Sequence, residues 1–231
     1  MILPKIPNLP QFSWQATQQV PIVDNKETLI PIPNHERLKS YPIYFAKQIP
    51  DAIDSCVARL SVVQKLQQAA ELLPEQLGIV VLDGWRSREV QRGVQEEIRQ
   101  MIKRDYAHLS LAEQEQLLLD FVAPIIPNFI SPHLTGGAVD VTLFDTKTGD
   151  WIDLGSGFDE PSSRSHTAYY ESFPDSEACY YRRLLYQVMT QVGFTNLPTE
   201  WWHFDFGNAL WALYTQNDHA IYGAADWEVS R

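Results

Sequence analysis

Cysteine, basic charge and long apolar runs are what this sequence has least of. Its two cysteines, Cys56 and Cys179, stand far apart on expected helices. They read as small buried apolar residues rather than as a disulfide or a metal pair. Against 29 Asp and Glu there are 18 Lys and Arg, giving a net charge of -11. Such a surface repels phosphate backbones and anionic lipid, so neither nucleic acid nor membrane is expected as a partner. No apolar run approaches the length of a membrane span. Met1-Ile2-Leu3-Pro4-Lys5 has neither the basic start nor the apolar region of a signal peptide, so the expected location is cytoplasmic. Gly155-Ser156-Gly157 lacks the strand-to-helix setting of a phosphate loop. No G-x-S-x-G elbow surrounds Ser131, and there is no internal repeat or low-complexity tract.

What is present suits a globular chain. With 231 residues, 45% of them hydrophobic and 12% aromatic, it is long enough for one domain with a real core. Eight of the fifteen prolines fall between Pro4 and Pro50. Residues 1–50 are therefore expected to form a Pro-rich arm of extended segments and turns packed on the body, with residues 51–231 as the main domain. Within the arm, Tyr41-Pro42-Ile43-Tyr44-Phe45 is an aromatic patch. Either it covers core surface or it brings a tyrosine to a pocket.

Hydrophobic spacing sets out the rest. Cys56, Leu60, Val63, Leu66, Ala70 and Leu73 follow steps of three and four, which predicts a helix stopped by Pro74 and Gly78. Ile79-Val80-Val81-Leu82 reads as a buried strand that delivers Asp83 to Arg86 at its end. Ser87 is placed to cap a helix running to about Arg104, and Ser110-Leu111-Ala112-Glu113 is a capping box. Ala138 to Leu143 alternates with period two, so Asp140 and Thr142 share a strand face. Asp145 to Tyr170 reads as a long polar loop, of the kind that is usually functional or disordered. Tyr181, Leu184, Leu185, Val188 and Val192 make a further helix stripe closed by Gly193. Glu200 to Phe206 reads as an aromatic strand. Ala209–Tyr214 and Ala220–Tyr222 are expected to finish the sheet.

Two stretches carry chemistry. Ser131-Pro132-His133-Leu134-Thr135-Gly136-Gly137-Ala138-Val139-Asp140 supplies an imidazole and a carboxylate seven positions apart, across a glycine pair that can fold back tightly. Glu200-Trp201-Trp202-His203 supplies a second imidazole and another carboxylate. His133, Asp140 and His203 form a three-donor zinc set that leaves a fourth position open, as catalytic zinc requires. Glu200 then remains as a nearby base. On a regular strand Glu200 and His203 would face opposite ways. Both reach one ion only if Glu200 sits on the turn before the strand.

These stretches fit S-x-H-x-x-G-x-A-x-D and E-x-W-H at every fixed position. They resemble the two motifs of the zinc-dependent D-Ala-D-Ala dipeptidases, which recur in the related zinc D,D-carboxypeptidases. Asp83-Gly84-Trp85-Arg86 looks like the family's D-G-(Tyr/Trp)-R segment, and Gly157-Phe158-Asp159-Glu160 looks like its G-x-x-F-D region. The order and separations hold from about Tyr41 to the C-terminus.

The resemblance implies one zinc ion per chain on His133, Asp140 and His203, Glu200 as general base and Arg86 as oxyanion stabiliser. It makes Asp159 the partner of the substrate's free α-ammonium group, which would explain a preference for dipeptides over capped peptides. Ser131 either helps to seat the substrate or shapes the turn. His35, His108, His166 and His219 lack motif spacing and are expected to be exposed or singly hydrogen-bonded. The expected fold is α+β, a single compact domain whose small, mostly antiparallel sheet carries the zinc site with helices on one side. The expected activity is hydrolysis of the small dipeptide D-Ala-D-Ala. Two alternatives are a D,D-carboxypeptidase or endopeptidase on cell-wall peptides, and a zinc-bearing peptide-binding module without catalysis. Glu200 argues against the last, because a binder needs no base.

Overall fold

The computed structural model describes residues 3–8, 10 and 13–227. Its strands in chain order are β1 (Leu29–Pro31), β2 (Leu38–Ser40), β3 (Val57–Arg59), β4 (Leu77–Asp83), β5 (Ala138–Asp145), β6 (Thr195–Asn196) and β7 (His203–Asp205). The helices are α1 (Trp14–Thr17), α2 (Ile43–Ala46), α3 (Leu60–Leu72), α4 (Arg88–Asp105), α5 (Leu111–Phe121), α6 (Glu177–Gln191) and α7 (Ala209–Thr215). Five strands form one sheet in the order β2-β4-β5-β7-β6. Only the β2–β4 pair is parallel; the other neighbours run antiparallel. The expected α+β domain with a small, mostly antiparallel sheet is the one observed, but helices lie over both of its faces and not on one side only, because the polar face also needs a cover.

Alternation along β5 divides the sheet chemically. Val139, Val141 and Leu143 turn to one face, joined there by Ile79, Val81 and Phe204. They pack against Val62, Val63 and Leu66 of α3 and Leu184, Leu185 and Val188 of α6. Each fully buried aliphatic side chain of that layer contributes about 1.5–3 kcal/mol. The intervening residues Asp140 and Thr142 turn to the opposite face, in register with His203 and Val80. Beyond this second face α4 and α5 build a smaller core of their own, in which Val94, Ile98 and Phe121 meet Tyr44. The polar residues of the sheet thus look into the space between the strands and the α4–α5 pair.

Local signals account for the helix ends. The Ser87 hydroxyl accepts from the Val90 amide and opens α4, and Ser110 and Glu113 form the expected reciprocal box at the start of α5. Gly193, with φ of 98°, follows the end of α6.

Four expectations need correction or refinement. The helix read from Cys56 begins only at Leu60, because Val57–Arg59 is claimed by backbone pairing with Leu29–Pro31. Cys56 is therefore buried ahead of a strand, whereas Cys179 is buried in α6 as expected. Ala209–Tyr214 does not finish the sheet but lies in α7. Its Ala and Leu residues favour a helix, it contains no β-branched residue, and Asn208 caps it by accepting from the Trp211 amide. Ala220 makes only an isolated bridge with Ile22. The strand read from Glu200 to Phe206 is regular only over His203–Asp205.

The polar stretch after β5 is anchored to α6 by one side chain. Buried Arg182 donates to the carbonyls of Leu154 at 2.7 Å, His166 at 2.8 Å and Arg164 at 2.7 Å. These bonds satisfy backbone acceptors that a loop would otherwise leave open. Among the described residues no helix is long and apolar enough to cross a membrane.

Candidate metal centre

His133 opens a single 3₁₀ turn, His133–Thr135, that Gly136 closes with φ of 69°. That left-handed conformation is one glycine adopts without strain, and it turns the chain straight into β5. Asp140 follows on the inward face, and the β5–β7 register sets Asp140 opposite His203. One donor each from His133, Asp140 and His203 lie within 4.8 Å of one another, and all three residues are buried. His133 Nε2 is 3.1 Å from His203 Nδ1 and 3.5 Å from Asp140 Oδ2, while His203 Nδ1 is 3.1 Å from Asp140 Oδ1.

The outer partners decide which ring nitrogens face inward. His133 Nδ1–H donates to the Gly84 carbonyl at 2.8 Å. His203 Nε2–H donates to Asp205 Oδ1 at 3.1 Å. With those protons committed and the rings neutral, the two facing nitrogens can both present lone pairs to a cation between them. Ligands on a tetrahedral ion at about 2.0–2.2 Å stand roughly 3.3–3.5 Å apart. The donor set, its spacing and its second shell therefore fit a divalent cation held by two imidazoles and one carboxylate.

The surrounding charge fits too. Burial pushes the Asp140 carboxyl up, but the charges and hydrogen bonds of His133 and His203 outweigh it and hold the group far below the usual carboxylate range. Burial acts against a charged His203, yet Asp205 and Asp140 raise its pKa well above the ordinary imidazole value. Glu200 lies beside the cluster with Oε2 3.8 Å from His203 Nδ1, and burial lifts its carboxyl well above the normal range. Glu200 occupies the turn before β7, with the His203 amide directed at its carbonyl at 3.4 Å. That turn removes the problem of opposite strand faces.

Arg86 is tied into the same cavity. Its Nε donates to Asp83 at 2.8 Å and its Nη1 to Gln91 at 3.0 Å. Its Nη2 reaches Tyr44 at 3.4 Å and Asp140 at 3.3 Å. Gly84, between Asp83 and Arg86, lies so close to the Val57 carbonyl that a Cβ would collide with it. Tyr44 lines the cavity with its hydroxyl donating to Asp159 Oδ1 at 3.1 Å, so the aromatic patch brings a tyrosine to the pocket.

Asp159 also lines the cavity, and its other oxygen is 3.1 Å from Lys47 Nζ. Burial pushes the Asp159 carboxyl up to about 6, with the Lys47 ammonium opposing that rise. Ser131 is buried but is not among the cavity-lining residues; its carbonyl accepts from Leu134 at 3.1 Å and shapes the turn. Of the remaining histidines, His35, His108 and His166 are exposed. Sequence reasoning missed Asp205 and Lys47. The H-x-D spacing of His203 and Asp205 on one strand was the signal for the first, since positions two apart share a face.

A family match covers this arrangement. Peptidase M15, described as D-Ala-D-Ala dipeptidase, matches residues 44–221, which include every residue placed around the candidate metal cluster. The chain belongs to the peptidase M15 family. It is 35% identical to the D-alanyl-D-alanine dipeptidase of Synechocystis sp., over 90% of this chain and 95% of that one. It is 30% identical to the D-alanyl-D-alanine dipeptidase of Enterococcus faecium, over 66% of this chain and 74% of that one. Among solved structures, a vancomycin-resistance D,D-dipeptidase in complex with a D-Ala-D-Ala phosphinate analogue aligns with TM-score 0.47 and 19% identity, over 86% of this chain and 68% of the other.

In this peptidase M15 chain Asp205 has a job that can be measured. Its Oδ1 accepts from His203 and, at 2.6 Å, from Asn208 Nδ2. Asp205→Asn weakens the hold on the His203 tautomer, and its metal affinity is expected to fall roughly 10–100-fold. Competition against a chromogenic chelator measures this; an unchanged affinity would show that the ring needs no such partner.

Proposed function

We propose that this chain is a zinc-dependent dipeptidase that hydrolyses D-Ala-D-Ala. The observation that carries the reading is the buried convergence of His133, Asp140 and His203 with Glu200 beside them. Two relatives named as D-alanyl-D-alanine dipeptidases, one matching nearly its whole length, support the substrate. The donors favour zinc because two imidazoles and one carboxylate make a common catalytic zinc set.

Bound zinc supplies Lewis-acid polarisation and makes water acidic enough to be deprotonated near neutral pH. Glu200 accepts the water's proton as the water attacks the peptide carbonyl, and passes it to the departing amine as the C–N bond breaks. Arg86 is held by Asp83, Gln91 and Tyr44, and it carries a fixed positive charge beside Asp140 toward the oxygen on which negative charge develops. Asp159 meets the amino end of the substrate. The turn around Ser131 sets the position of His133.

The test is hydrolysis of D-Ala-D-Ala against L-Ala-L-Ala by the zinc-loaded protein. The D,D-dipeptide is expected to be cleaved and the L,L-dipeptide left intact, with activity lost on chelation and restored by zinc. A zinc-loaded protein inert toward D-Ala-D-Ala overturns the reading.

A further inference from the structure

Buried Arg59, the last residue of β3, takes no part in the chemistry above, and its partners show what it holds. Its amide donates to the Gly136 carbonyl at 2.9 Å and its Nε to the Thr135 carbonyl at 2.8 Å, so it grips the turn that carries His133. Its Nη2 donates to the Gly223 carbonyl at 3.2 Å and ties that turn to the C-terminal segment. Two residues on, the Ala225 amide donates to the Leu134 carbonyl at 3.0 Å. The Ala225 carbonyl accepts from the Trp85 indole Nε1 at 2.7 Å. The Trp85 amide donates to the Val57 carbonyl at the other end of β3, and the next amide, that of Arg86, donates to the His133 carbonyl at 3.2 Å. Trp85, Ala225, Leu134, His133 and Arg86 thus form one closed ring of hydrogen bonds and peptide links, with both ends of β3 bonded to it.

We propose that Trp85 is a positioning residue, which acts with Ala225 of the C-terminal segment to fix the Arg86 guanidinium at its place beside the metal donors. The proposal rests on the dipeptidase reading and on the part Arg86 takes in it. The direct bond from Arg86 to His133 joins their two segments at one point, about which either could pivot. The second link, from Trp85 through Ala225 to Leu134, removes that freedom, because two separate anchors define an orientation. Orientation matters here because charge stabilisation depends on a donor already aimed at the developing oxyanion. A misplacement of about 1 Å can cost on the order of 10²-fold in rate. The His133 turn depends on the link less, since Arg59 still grips it at Thr135 and Gly136. Loss of the Trp85 bond therefore acts on the rate and spares metal binding.

The experiment is a double-mutant cycle on the zinc-loaded protein with D-Ala-D-Ala, comparing wild type, Trp85→Phe, Arg86→Ala and the double variant, with zinc affinity measured for each. Trp85→Phe keeps an aromatic ring and removes the N–H that Ala225 accepts from. It is expected to lower kcat about 10-fold or more, with KM and zinc affinity within about 3-fold of wild type. Arg86→Ala is expected to lower kcat about 10²–10³-fold. In the Arg86→Ala background the Trp85 change should cost less than about 2-fold, because the group it positions is gone. Equal losses in both backgrounds overturn the proposal, as does a fall in zinc affinity that matches the fall in kcat; either would make Trp85 a brace of the fold. An unchanged kcat in Trp85→Phe overturns it too. Ala225→Pro deletes the amide that donates to Leu134, breaks the link at its other end, and is expected to repeat the pattern. It decides the matter if Trp85→Phe fails to fold. A wild type inert toward D-Ala-D-Ala removes the dipeptidase reading and this proposal with it; additive losses in an active enzyme remove the proposal alone.

Discussion

Glu200→Gln is expected to keep the metal and lower kcat by about 10³-fold, within the range that a lost general base usually costs. The replacement preserves the size of the side chain and its place on the turn before β7, but it removes the oxygen that accepts a proton. The structure makes this separation clean, because Glu200 Oε2 is 3.8 Å from His203 Nδ1 and lies outside the tight cluster of three donors. Burial lifts the Glu200 carboxyl well above the normal range. A divalent cation on the neighbouring donors would oppose that rise and favour the ionised carboxylate that accepts a proton. Metal content and kcat measured on the same preparation check the prediction. Metal loss in step with activity would make Glu200 a ligand, and near-normal turnover would leave it a structural residue.

His203→Ala should have the larger effect on the molecule as a whole. It removes one of three donors and leaves Asp205, whose Oδ2 already lacks a partner, without the ring that its Oδ1 accepts from. The variant is expected to lose zinc to a mild chelator and to fall to background activity. It should also be less stable than the metal-loaded wild type. Ligand linkage alone stabilises a protein by about 4 kcal/mol when the free metal is roughly 1,000 times its dissociation constant. Chelation should therefore lower the wild-type Tm by several degrees and barely change that of His203→Ala. Full zinc occupancy in the variant would exclude His203 as a ligand.

The same two residues mark where sequence reading reached and where it stopped. His133, Asp140, Glu200 and His203 were legible as candidates because two short motifs carry their local spacing and a family resemblance joins the two. A turn closed by glycines and a period-two strand fix which way Asp140 points, and Pro198 just before Glu200 prepares the chain for a turn. The ends of α4 and α5 were legible for a similar reason, since capping hydroxyls act on amides three positions away. Apolar alternation along β5 separated the core face from the site face before any partner strand was known.

Only the folded chain decided the rest. Whether Val57–Arg59 extends a helix or forms a strand depends on pairing with Leu29–Pro31, almost thirty residues earlier, which local propensity does not record. The long polar stretch after β5 is tied to α6 because Arg182 reaches back to its carbonyls. Asp159 could be named from its motif, but its electrostatic state could not. That state is set first by burial and then by Lys47, 112 positions away, while Tyr44 from the Pro-rich first fifty residues donates to its other oxygen. The sequence by itself brought forward the candidate donors, the candidate base and the strand that presents Asp140, through motif spacing and through dihedral preferences among neighbours within a few residues. Tertiary structure decided which charges those groups face, because a Coulomb interaction depends on distance in space and not on separation along the chain.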